Sequence, residues 1–516
     1  MTEQVKTIKV LVFIVAYNAE TTIEKVLRRI PEEIYNAYDT HVLIIDDSSS
    51  DETFSVGLSF SGTFPGKNIT VLRNPENQGY GGNQKIGYNY AIKYGYDIVI
   101  LLHGDAQYAP ECMLSLIEPI AKDEAEAVFG SRMLKSGSAL KGGMPLYKYI
   151  GNKILSGLQN KIMGKMLSEW HSGYRAYAVS VFKQIPFERN DNGFPFDTDI
   201  ILQLIQAGAR IREVPIPTYY GDEICRVNGM RYAFQVFVNT MRCRLHNMNL
   251  FYERKYDCAP QEAAYPLKLG YLSSHTMVID LVKENSWVLD IGCGQGLVAK
   301  KLVKKGCHIV GIDSFKPADT SFFEKFIKAA LPMDECPWNK EYRFDYVLLL
   351  DVIEHMADPE KFMDKLRDFL QGHPCTLIIT SANVSFYLTR LQLLLGRFNY
   401  VKRGILDMTH LRLFNFGTLK RLLVQCGYKV LKIKGIPAPY PEVIKFRRLA
   451  FFMVYLNQLF IFLCKNLFGY QALIIAQPYP NLDFLLSRSM GHSSKEKNDT
   501  PERKENGQGS GLNFKN

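Results

Sequence analysis

Residues 97–108 of the chain read DIVILLHGDAQY, an apolar run that leads directly into a carboxylate, Asp105, and an amide, Gln107. A continuous run of β-branched and leucine side chains is typical of a parallel strand that is covered on both faces. Open α/β sheets bind ligands at the carboxyl ends of such strands. A carboxylate there can hold a divalent cation, or it can begin a turn before Pro110 and cap the next helix. The stretch predicts a buried parallel strand and leaves both roles of Asp105 open.

Length and composition indicate a globular protein of two domains. The chain has 516 residues, more than one ordinary core holds, with 47% hydrophobic and 22% charged residues. The excess of 62 Lys and Arg over 52 Asp and Glu favours contact with phosphate groups or an anionic membrane surface. The ten cysteines form no CxxC pair, which argues against a zinc site or a disulfide framework and for a reducing compartment. We expect no nucleic-acid partner, and the oligomeric state stays open.

Neither a leader peptide nor a membrane span is expected. The N-terminus, MTEQVKTIKVLVFIV, enters a strand without a cleavage site. The longest apolar stretch, Leu449 to Cys464, is interrupted by Asn457 and Gln458 and is shorter than the roughly 20 residues of a spanning helix. We interpret it as a helix that packs against its domain, with contact to a membrane surface as the alternative. The protein is therefore predicted to be cytoplasmic, or peripheral at the cytoplasmic face of the membrane.

Strands and helices alternate in the first half of the chain. Residues 8–18 form a predicted strand that ends in a polar turn, and residues 41–53, HVLIIDDSSSDET, form a second one that ends in Asp46 and Asp47. A third short strand, 69–73, precedes a glycine-rich stretch before the next helix. This order predicts an α/β fold, a mainly parallel sheet with helices on both faces.

A series of short blocks in this half is more specific than any single motif. The blocks are VAYNAE (15–20), DDSSSDET (46–53), NQGYGGNQKIGYN (77–89), HGDAQYAPE (103–111), GSR (130–132), SEWHSGYRAY (168–177) and EVPIPTYYGDE (213–223). Through them residues 8–222 resemble the family 2 glycosyltransferases of the GT-A fold, especially those like dolichol-phosphate mannose synthase. The resemblance implies a GT-A nucleotide-diphospho-sugar transferase domain, which we place at residues 1–250.

The resemblance also implies the residues of a donor site. Those implied for nucleotide-sugar binding are Tyr17, Glu20, Asp47, Asp105, Arg132 and Arg175. Asp47 would accept from an N–H group of the base, and Asp105 with Gln107 would bind Mg or Mn on the diphosphate. Each arginine would face phosphate oxygens, for which its planar fork is suited, or else form a surface salt bridge.

One position departs from the family pattern. The metal motif of the family is commonly Asp-x-Asp, and His103 occupies its first position here. His103 either ligates the metal, supports it indirectly or only packs. The metal site therefore depends on fewer carboxylates than in the family.

The acceptor determines whether this domain needs a general base. A polyprenyl phosphate is already an anion, whereas a sugar hydroxyl must lose a proton to a carboxylate. The candidate bases are Glu169, Asp197 and Asp199. The segment FPFDTD, 194–199, is however more typical of a helix start.

Two basic amphipathic stretches follow in the first half. Residues 135–165 place lysines among Leu, Ile, Met and Tyr and predict an acceptor loop followed by a helix, and residues 231–246 are similar. Most such stripes face a core. The alternative is peripheral contact with an anionic membrane, which a lipid acceptor would favour.

The second half begins after a predicted linker at residues 251–270. The segment SWVLDIGCGQGLVAKKLVKKG, 286–306, predicts a strand, a glycine turn and a helix, which fits either dinucleotide or S-adenosylmethionine binding. The next strand ends at Asp313, where a carboxylate can take both ribose hydroxyls. A later buried strand within 344–363 leads to the motif DVIEH, 351–355.

With the block THLRLFNFGTLKRLL (409–423), these motifs make residues 266–480 resemble class I S-adenosylmethionine-dependent methyltransferases. The residues implied for cofactor binding are Asp290, Gly292, Gly294, Gly296, Asp313 and Asp351. Glu354 and His355 would lie near the cofactor and acceptor, with His355 as a general base or as a residue that only holds the helix start. Where relatives use an acidic residue for the adenine amine, this chain reads AALPMDECPW (329–338), and Asp334 is a candidate substitute.

The predicted architecture is two doubly wound α/β domains: the GT-A domain, and a seven-stranded Rossmann-like methyltransferase domain at residues 271–482, followed by a largely disordered tail at 483–516. We interpret the chain as a bifunctional enzyme that glycosylates a glycan or polyprenyl-phosphate acceptor and methylates an acceptor of the same pathway. The alternatives are a polyprenyl-phosphate hexose synthase with an independent methyltransferase, and a membrane-associated scaffold whose transferase half binds nucleotide without turnover.

Overall fold

The computed structural model describes residues 7–63, 66–219, 228–258, 268–330, 342–370, 375–444 and 446–499. The chain divides into two compact units, residues 1–264 and 265–516. Parts of the predicted linker and tail, and Asp334, lie outside the described residues.

The first unit contains a seven-stranded sheet in the order β3-β2-β1-β4-β6-β5-β7. Its strands are β1 (Lys9–Ala16), β2 (Asp39–Asp46), β3 (Asn68–Arg73), β4 (Ile98–His103), β5 (Ala127–Ser131), β6 (Arg175–Ala178) and β7 (Ile211–Pro215). β3, β2, β1 and β4 are mutually parallel, and β6 runs antiparallel to both of its neighbours. The predicted mainly parallel sheet is confirmed, with one reversed strand.

Helices cover both faces of this sheet. They are α1 (Ile23–Arg28), α2 (Glu32–Ala37), α3 (Thr53–Thr63), α4 (Tyr80–Lys93), α5 (Met113–Ala121), α6 (Ser138–Lys141), α7 (Leu146–Met163), α8 (Phe196–Gln206) and α9 (Gly229–Asn247). In β1, Val12 and Ile14 belong to the hydrophobic cluster on one face, and Phe13 and Val15 to the cluster on the other. Since successive strand residues point to opposite faces, a sheet covered on both sides requires the unbroken apolar runs seen in the sequence.

The second unit contains a seven-stranded sheet in the order β10-β9-β8-β11-β12-β14-β13. Its strands are β8 (Trp287–Ile291), β9 (His308–Asp313), β10 (Lys325–Lys328), β11 (Tyr346–Leu350), β12 (Thr376–Ala382), β13 (Tyr428–Ile436) and β14 (Gln471–Pro478). β14 is antiparallel to both β12 and β13, and the other pairs are parallel. The predicted seven-stranded sheet is confirmed.

One helix of this unit, α16 (Arg447–Leu463), has an exposed apolar face. The helices of the unit are α10 (Ser274–Leu281), α11 (Leu297–Val303), α12 (Pro359–Phe369), α13 (Tyr387–Leu394), α14 (Phe416–Gln425), α15 (Tyr440–Val443), α16 (Arg447–Leu463), α17 (Lys465–Phe468) and α18 (Leu482–Asp499). α16 is the predicted apolar helix, and its buried residues are Ala450, Val454, Asn457 and Ile461. Phe452, Tyr455 and Phe462 are exposed. Only one narrow stripe of the surface of α16 is therefore buried against its domain.

The C-terminal tail contains a helix. The tail at residues 483–516 was predicted to be mostly disordered. Residues 482–499 form α18, and residues 500–516 lie outside the described residues. Near the start of α18, the Phe484 N–H donates to the Asn481 side chain. Among the described residues, no helix combines the length and the apolar character that a membrane crossing requires.

Candidate active sites

Two loops at the carboxyl edge of the first sheet are joined by reciprocal hydrogen bonds. The backbone N–H of Asn18 donates to Ser49 Oγ at 2.8 Å, and the Asn18 side chain accepts from the Ser50 N–H at 3.0 Å. The Glu20 carboxylate accepts from the Glu52 N–H at 2.9 Å. Tyr17, beside them, has an exposed ring. The predicted residues Tyr17 and Glu20 thus lie where β1 and β2 end, on a fixed loop.

Asp47 fastens the glycine-rich stretch to the end of β2. Its side chain is 3% exposed, and Oδ1 accepts from Asn74 Nδ2 at 2.7 Å and from the Gln78 N–H at 2.9 Å. The side chain of Asn77 donates to the backbone carbonyl of Asp47 at 3.0 Å. One carboxylate oxygen of the predicted base-binding residue is therefore already used to hold residues 74–78 in place.

Asp105 lies on the turn that follows β4. The turn places Ala106 in the left-handed region, with φ of 61°, and the Gln107 N–H donates to Asp105 Oδ1 at 3.1 Å. Asp105 is exposed and Gln107 half-buried. A non-glycine residue at positive φ is uncommon and is often retained at a functional position. Among the described residues no group of three or more His, Cys, Asp and Glu is arranged to hold a metal ion.

His103 ends β4 in a fixed orientation. The Tyr80 hydroxyl donates to Asp197 Oδ2 at 3.0 Å, and its oxygen lies 3.1 Å from His103 Nε2. Because that hydroxyl has a single proton, Nε2 must be the donor and Nδ1 must carry the lone pair. Burial lowers the pKa of His103, an effect that Asp105 partly offsets. A Cβ atom at Gly173 would lie 2.7 Å from the imidazole, so only glycine admits the ring there.

Glu169, a predicted base, is engaged in a buried ion pair with Arg132. The Arg132 N–H donates to Glu169 Oε2 at 2.8 Å and Arg132 Nε to Oε1 at 3.0 Å, while Asn152 Nδ2 donates to Oε1 at 2.8 Å. Burial raises the pKa of Glu169, but Arg132 and these hydrogen bonds outweigh it and hold that pKa below its usual value. A fully buried, paired carboxylate is a poor proton acceptor for an external hydroxyl.

Arg175 does not face an open phosphate site. The residue is 1% exposed and donates to the carbonyl oxygens of Ser172 at 2.7 Å and Asp197 at 3.1 Å. Its guanidinium also lies 5.1 Å from the ring centre of Phe129. Neither predicted alternative, a phosphate contact or a surface salt bridge, describes Arg175. Its donors face backbone carbonyls beneath the loop 168–175, and Nη1 forms a buried ion pair with Asp197 Oδ1 at 3.5 Å.

Asp197 and Asp199 lie at the start of α8, as the helix-start interpretation of 194–199 requires. Asp197 accepts from Tyr80 and, at 3.3 Å, from Gln84 Nε2. Asp199 accepts from Lys255 Nζ at 3.0 Å and from Asn239 Nδ2 at 2.9 Å. Asp199 is completely buried, so its role is to anchor the helix.

The second unit brings its predicted glycines and carboxylates together at the carboxyl ends of β8 and β9. Gly292, Gly294 and Gly296 have φ of 73°, 53° and 67°, which favours glycine at each. The Gly294 N–H donates to Asp313 Oδ2 at 2.7 Å. A Cβ atom at Gly292 would lie 2.4 Å from Val352 Cγ2, so the glycine turn contacts the loop after β11.

Asp290 carries an unusual charge balance. Its side chain is buried beside Asp313, and burial, followed by repulsion from Asp313, raises the pKa of Asp290 to about 7. In the part of the chain that the structure describes, neither carboxylate forms an ion pair, and two such carboxylates fit a ligand that supplies positive charge. S-adenosylmethionine carries an ammonium and a sulfonium, and so the residues present fit that group.

The loop after β11 holds the predicted residues Asp351, Glu354 and His355. Asp351 has φ of 55°, and its two oxygens accept from Thr380 Oγ1 at 2.8 Å and from Gln471 Nε2 at 2.6 Å. Glu354 Oε1 accepts from the Ala382 N–H at 3.2 Å, and Oε2 is buried and makes no hydrogen bond of standard geometry within the described residues. Burial, then repulsion from Asp351, raises the pKa of Glu354 to about 8.

His410 is a site residue that the sequence reasoning missed. Its ring lies against that of His355, with centroids 4.9 Å apart and planes at 72°. The signal was present in the block 409–423, whose second residue is this histidine. The sequence shows this block only as a family resemblance, because no local pattern connects His410 with His355, 55 positions earlier.

Comparison with known proteins agrees with the division into two units. Residues 11–185 match the family model Glycosyl transferase family 2, and residues 275–433 match a family model described as Methyltransferase domain. The chain therefore carries one domain of each kind, which confirms both resemblances.

Individual relatives match one half at a time. Over 247 residues the chain is 26% identical to the UDP-N-acetylglucosamine--dolichyl-phosphate N-acetylglucosaminyltransferase of Methanococcus voltae, which covers 46% of this chain and 96% of that protein. Over 110 residues it is 31% identical to the Ubiquinone biosynthesis O-methyltransferase of Alkalilimnicola ehrlichii, which covers 20% of this chain and 43% of that protein. A crystal structure of glucosyl-3-phosphoglycerate synthase from Mycobacterium tuberculosis aligns over 46% of this chain and 79% of its own, with a TM-score of 0.36 and 15% identity.

Proposed function

We propose that this chain, which joins a glycosyltransferase family 2 domain to a methyltransferase domain, transfers a sugar from a nucleotide-sugar to a polyprenyl-phosphate acceptor and a methyl group from S-adenosylmethionine to an acceptor of the same glycan pathway. The observation that carries the first activity is the exposed carboxylate of Asp105, which precedes the left-handed Ala106 at the same edge of the sheet as the loops fixed by Asp47. The relative from Methanococcus voltae, named for a dolichyl-phosphate acceptor, supports the choice of lipid phosphate.

The donor would bind at the carboxyl edge of the first sheet. Asp105 and Gln107 would hold a Mg or Mn ion, which would neutralise the diphosphate as it leaves. A single carboxylate with an amide fits Mg²⁺, since this ion usually takes few protein ligands and completes its shell with phosphate oxygens and water. Tyr17, Glu20 and Asp47 would line the nucleotide pocket.

The predicted bases are all paired with protein groups, which favours a phosphate acceptor over a sugar hydroxyl. Glu169 is paired with Arg132, and Asp199 with Lys255. Asp197 is shared among Tyr80, Gln84 and Arg175. A polyprenyl phosphate is an anion and can attack the anomeric carbon without a strong base, so positioning and charge neutralisation suffice.

Exposed apolar helix faces support peripheral contact with an anionic membrane at its cytoplasmic face. On α7, Tyr147, Ile150 and Ile154 are exposed beside Lys148 and Lys153. On α16 of the other domain the exposed aromatic residues follow Arg447 and Arg448. Apolar side chains flanked by basic ones suit a lipid surface, and a lipid acceptor would place the enzyme there.

The two activities can be tested together in one experiment. Purified protein is incubated with membrane lipid extract, nucleotide-[¹⁴C]sugars and S-adenosyl[methyl-³H]methionine, and the lipids are separated and analysed by mass spectrometry. The proposal expects ¹⁴C in a polyprenyl-phosphate sugar and both labels in one glycan product. Labels that enter only separate molecules would instead support a hexose synthase with an independent methyltransferase.

A variant pair distinguishes an enzyme from a nucleotide-binding scaffold. Asp105→Asn is expected to reduce sugar transfer and Mn²⁺-dependent UDP or GDP binding at least tenfold, whereas Glu33→Gln, an exposed change on α2, should leave both unchanged. If wild type binds nucleotide but releases none from any nucleotide-sugar, and Asp105→Asn behaves identically, the scaffold is correct.

Membrane contact has a separate test. Flotation with vesicles of phosphatidylglycerol and phosphatidylcholine should recover the wild type and lose it, by about tenfold, in the double variants Tyr147→Ser/Ile154→Ser and Phe452→Ser/Tyr455→Ser. Leu58→Ser, an exposed apolar residue on α3, is the matched control. Equal flotation of all variants would exclude these faces as the contact.

A further inference from the structure

The loop that carries His410 is fastened to the loop after β11. The backbone N–H groups of Leu411 and Arg412 donate to the Glu354 carbonyl at 2.9 and 3.0 Å. Asp407 Oδ1 accepts from the Thr409 N–H at 2.8 Å and from its hydroxyl at 2.7 Å. The bonds to Glu354 join the two loops and the bonds within residues 407–409 shape the second one, so that His410 lies against His355 although the two are far apart in the sequence.

Hydrogen bonds fix the same tautomer in both imidazoles. His355 Nδ1 lies 3.1 Å from the Thr409 carbonyl oxygen, and His410 Nδ1 lies 3.0 Å from the Ile405 carbonyl oxygen. A carbonyl oxygen only accepts, so Nδ1 carries the proton in each ring and Nε2 carries the lone pair. In the neutral form of each ring, Nε2 can therefore accept a proton or a hydrogen bond, and the two ring centroids lie 4.9 Å apart.

The pair lies on the loop that contacts the glycine turn. Val352, which a Cβ atom at Gly292 would overlap, immediately precedes the 3₁₀ turn Ile353–His355. The neighbouring carboxylates do not compete for the role of base. Both oxygens of Asp351 accept hydrogen bonds from the protein, and Glu354 is buried with its pKa raised to about 8. The Nε2 atoms of the two imidazoles are therefore the candidate proton acceptors of this loop, and burial lowers the pKa of His410.

We propose that Nε2 of His355 and of His410 together form the proton-accepting site for a hydroxyl acceptor of the methyl transfer. The inference rests on the proposed methyltransferase activity and adds the chemical class of its substrate. The acceptor O–H proton passes to an Nε2 atom, the oxygen forms a bond to the methyl carbon, and the carbon–sulfur bond breaks with its electron pair going to sulfur. A sulfonium and a neutral imidazole become a thioether and an imidazolium, so charge and atoms balance.

A carboxylate acceptor would not use this arrangement. It has no proton to lose at neutral pH, and two nitrogen lone pairs would repel its oxygens. A hydroxyl, in contrast, needs a base within hydrogen-bond reach, which contributes about 10²–10⁴-fold to the rate. The product is therefore expected to be a methyl ether.

The first test does not depend on activity. ¹⁵N-histidine labelling of the full chain gives the tautomer of each ring by NMR, and the signals are assigned by their loss in His355→Asn and His410→Asn. Protonated Nδ1 in both rings is expected. Protonated Nε2 in either ring would overturn the proposal, because that ring would lack the lone pair.

The second test uses the same two variants in catalysis. The asparagine amide can replace the Nδ1–H donor to the Thr409 or Ile405 carbonyl but has no counterpart of Nε2, so the fold is preserved while the proposed function is lost. With S-adenosyl[methyl-³H]methionine and the lipid extract, kcat of the double variant should fall by about 10²–10⁴-fold with unchanged calorimetric affinity for S-adenosylmethionine. His308→Asn, whose ring contacts Glu324, is the matched control.

The outcomes separate this inference from the proposed function. An undiminished kcat in the double variant, or a labelled product that mild alkali cleaves as a methyl ester, would overturn it. If wild type binds no S-adenosylmethionine and methylates nothing, the methyltransferase activity itself fails, and the tautomer measurement still decides whether the two lone pairs exist.

Discussion

Replacement of Asp290 by asparagine should stabilise the second domain in a strongly pH-dependent way. The carboxyl group is buried, and its pKa is raised to about 7, first by burial and then by Asp313, from an ordinary value of 3.8. A raised pKa means that the ionised form is disfavoured in the folded state. Asparagine has nearly the same shape and no charge, and so it removes this penalty.

The sign and size of the effect follow from proton linkage. Below pH 3.8 the group is protonated in both folded and unfolded chains, so the variant and wild type should differ little. As pH rises to about 7 the unfolded chain loses the proton while the folded chain keeps it, and wild-type stability falls. The advantage of Asp290→Asn should grow from about 1–2 kcal/mol at pH 5 to about 4 kcal/mol at pH 8, at about 1.4 kcal/mol per tenfold change in proton affinity.

Urea unfolding at pH 5 and pH 8 measures this difference. In a Trp170→Phe background the remaining tryptophans, Trp287 and Trp338, both belong to residues 265–516, so fluorescence reports the second domain. Asp280→Asn, an exposed change on α10, is the matched control. A gain for Asp290→Asn that is equal at the two pH values, or no larger than that of Asp280→Asn, would refute the charge argument.

Three further predictions concern the first domain. Gly173→Ala should displace the His103 ring and destabilise the domain by about 1–3 kcal/mol in thermal unfolding. Gly151→Ala is the control, because the space around Gly151 is open. Equal melting temperatures for the two variants would contradict the predicted clash with His103. Lys255→Met should lower the free energy of unfolding in urea by about 3–5 kcal/mol, because Asp199 would be left buried and unpaired. The added change Asp199→Asn should restore much of the lost stability. A Lys255→Met variant as stable as wild type would show that the ion pair is dispensable. Asp47→Asn keeps an oxygen that accepts from Asn74 and Gln78, so the free energy of unfolding should change by less than about 1 kcal/mol. The affinity for UDP or GDP, measured by calorimetry, should fall about tenfold. An unchanged affinity would show that Asp47 does not contact the base.

The strands and glycine turns could be predicted because their signals are local. The apolar run before Asp105 becomes β4, Ile98–His103, and the segment 286–306 becomes β8, a glycine turn and α11. Glycines 292, 294 and 296 adopt the positive φ that the motif implies. In each case the residues that determine the conformation are neighbours in the sequence.

The partners of the charged residues could not be predicted in the same way. Arg132 and Glu169 are 37 residues apart, and Arg175 reaches the carbonyl of Asp197, 22 residues away. Nothing in the local pattern distinguishes an arginine that faces phosphate from one that holds a loop together, since Arg132 directly follows β5 and Arg175 begins β6, both next to loops. Which arginine is buried depends on how β6 and α8 pack, and that is a tertiary property.

The unsatisfied groups, rather than the charged residues as such, mark where ligands belong. Glu169, Arg175 and Asp199 have their polar atoms occupied by protein partners, so a substrate would have to break those bonds before it could use them. Asp105 is exposed, and burial, followed by repulsion from Asp313, raises the pKa of Asp290. His355 and His410 each direct one nitrogen to a carbonyl and keep the other as a lone pair. A ligand that supplies a cation to these carboxylates and a proton to the imidazoles gains free energy that the protein alone does not provide, which is why both reactions are expected at these two edges of the sheets.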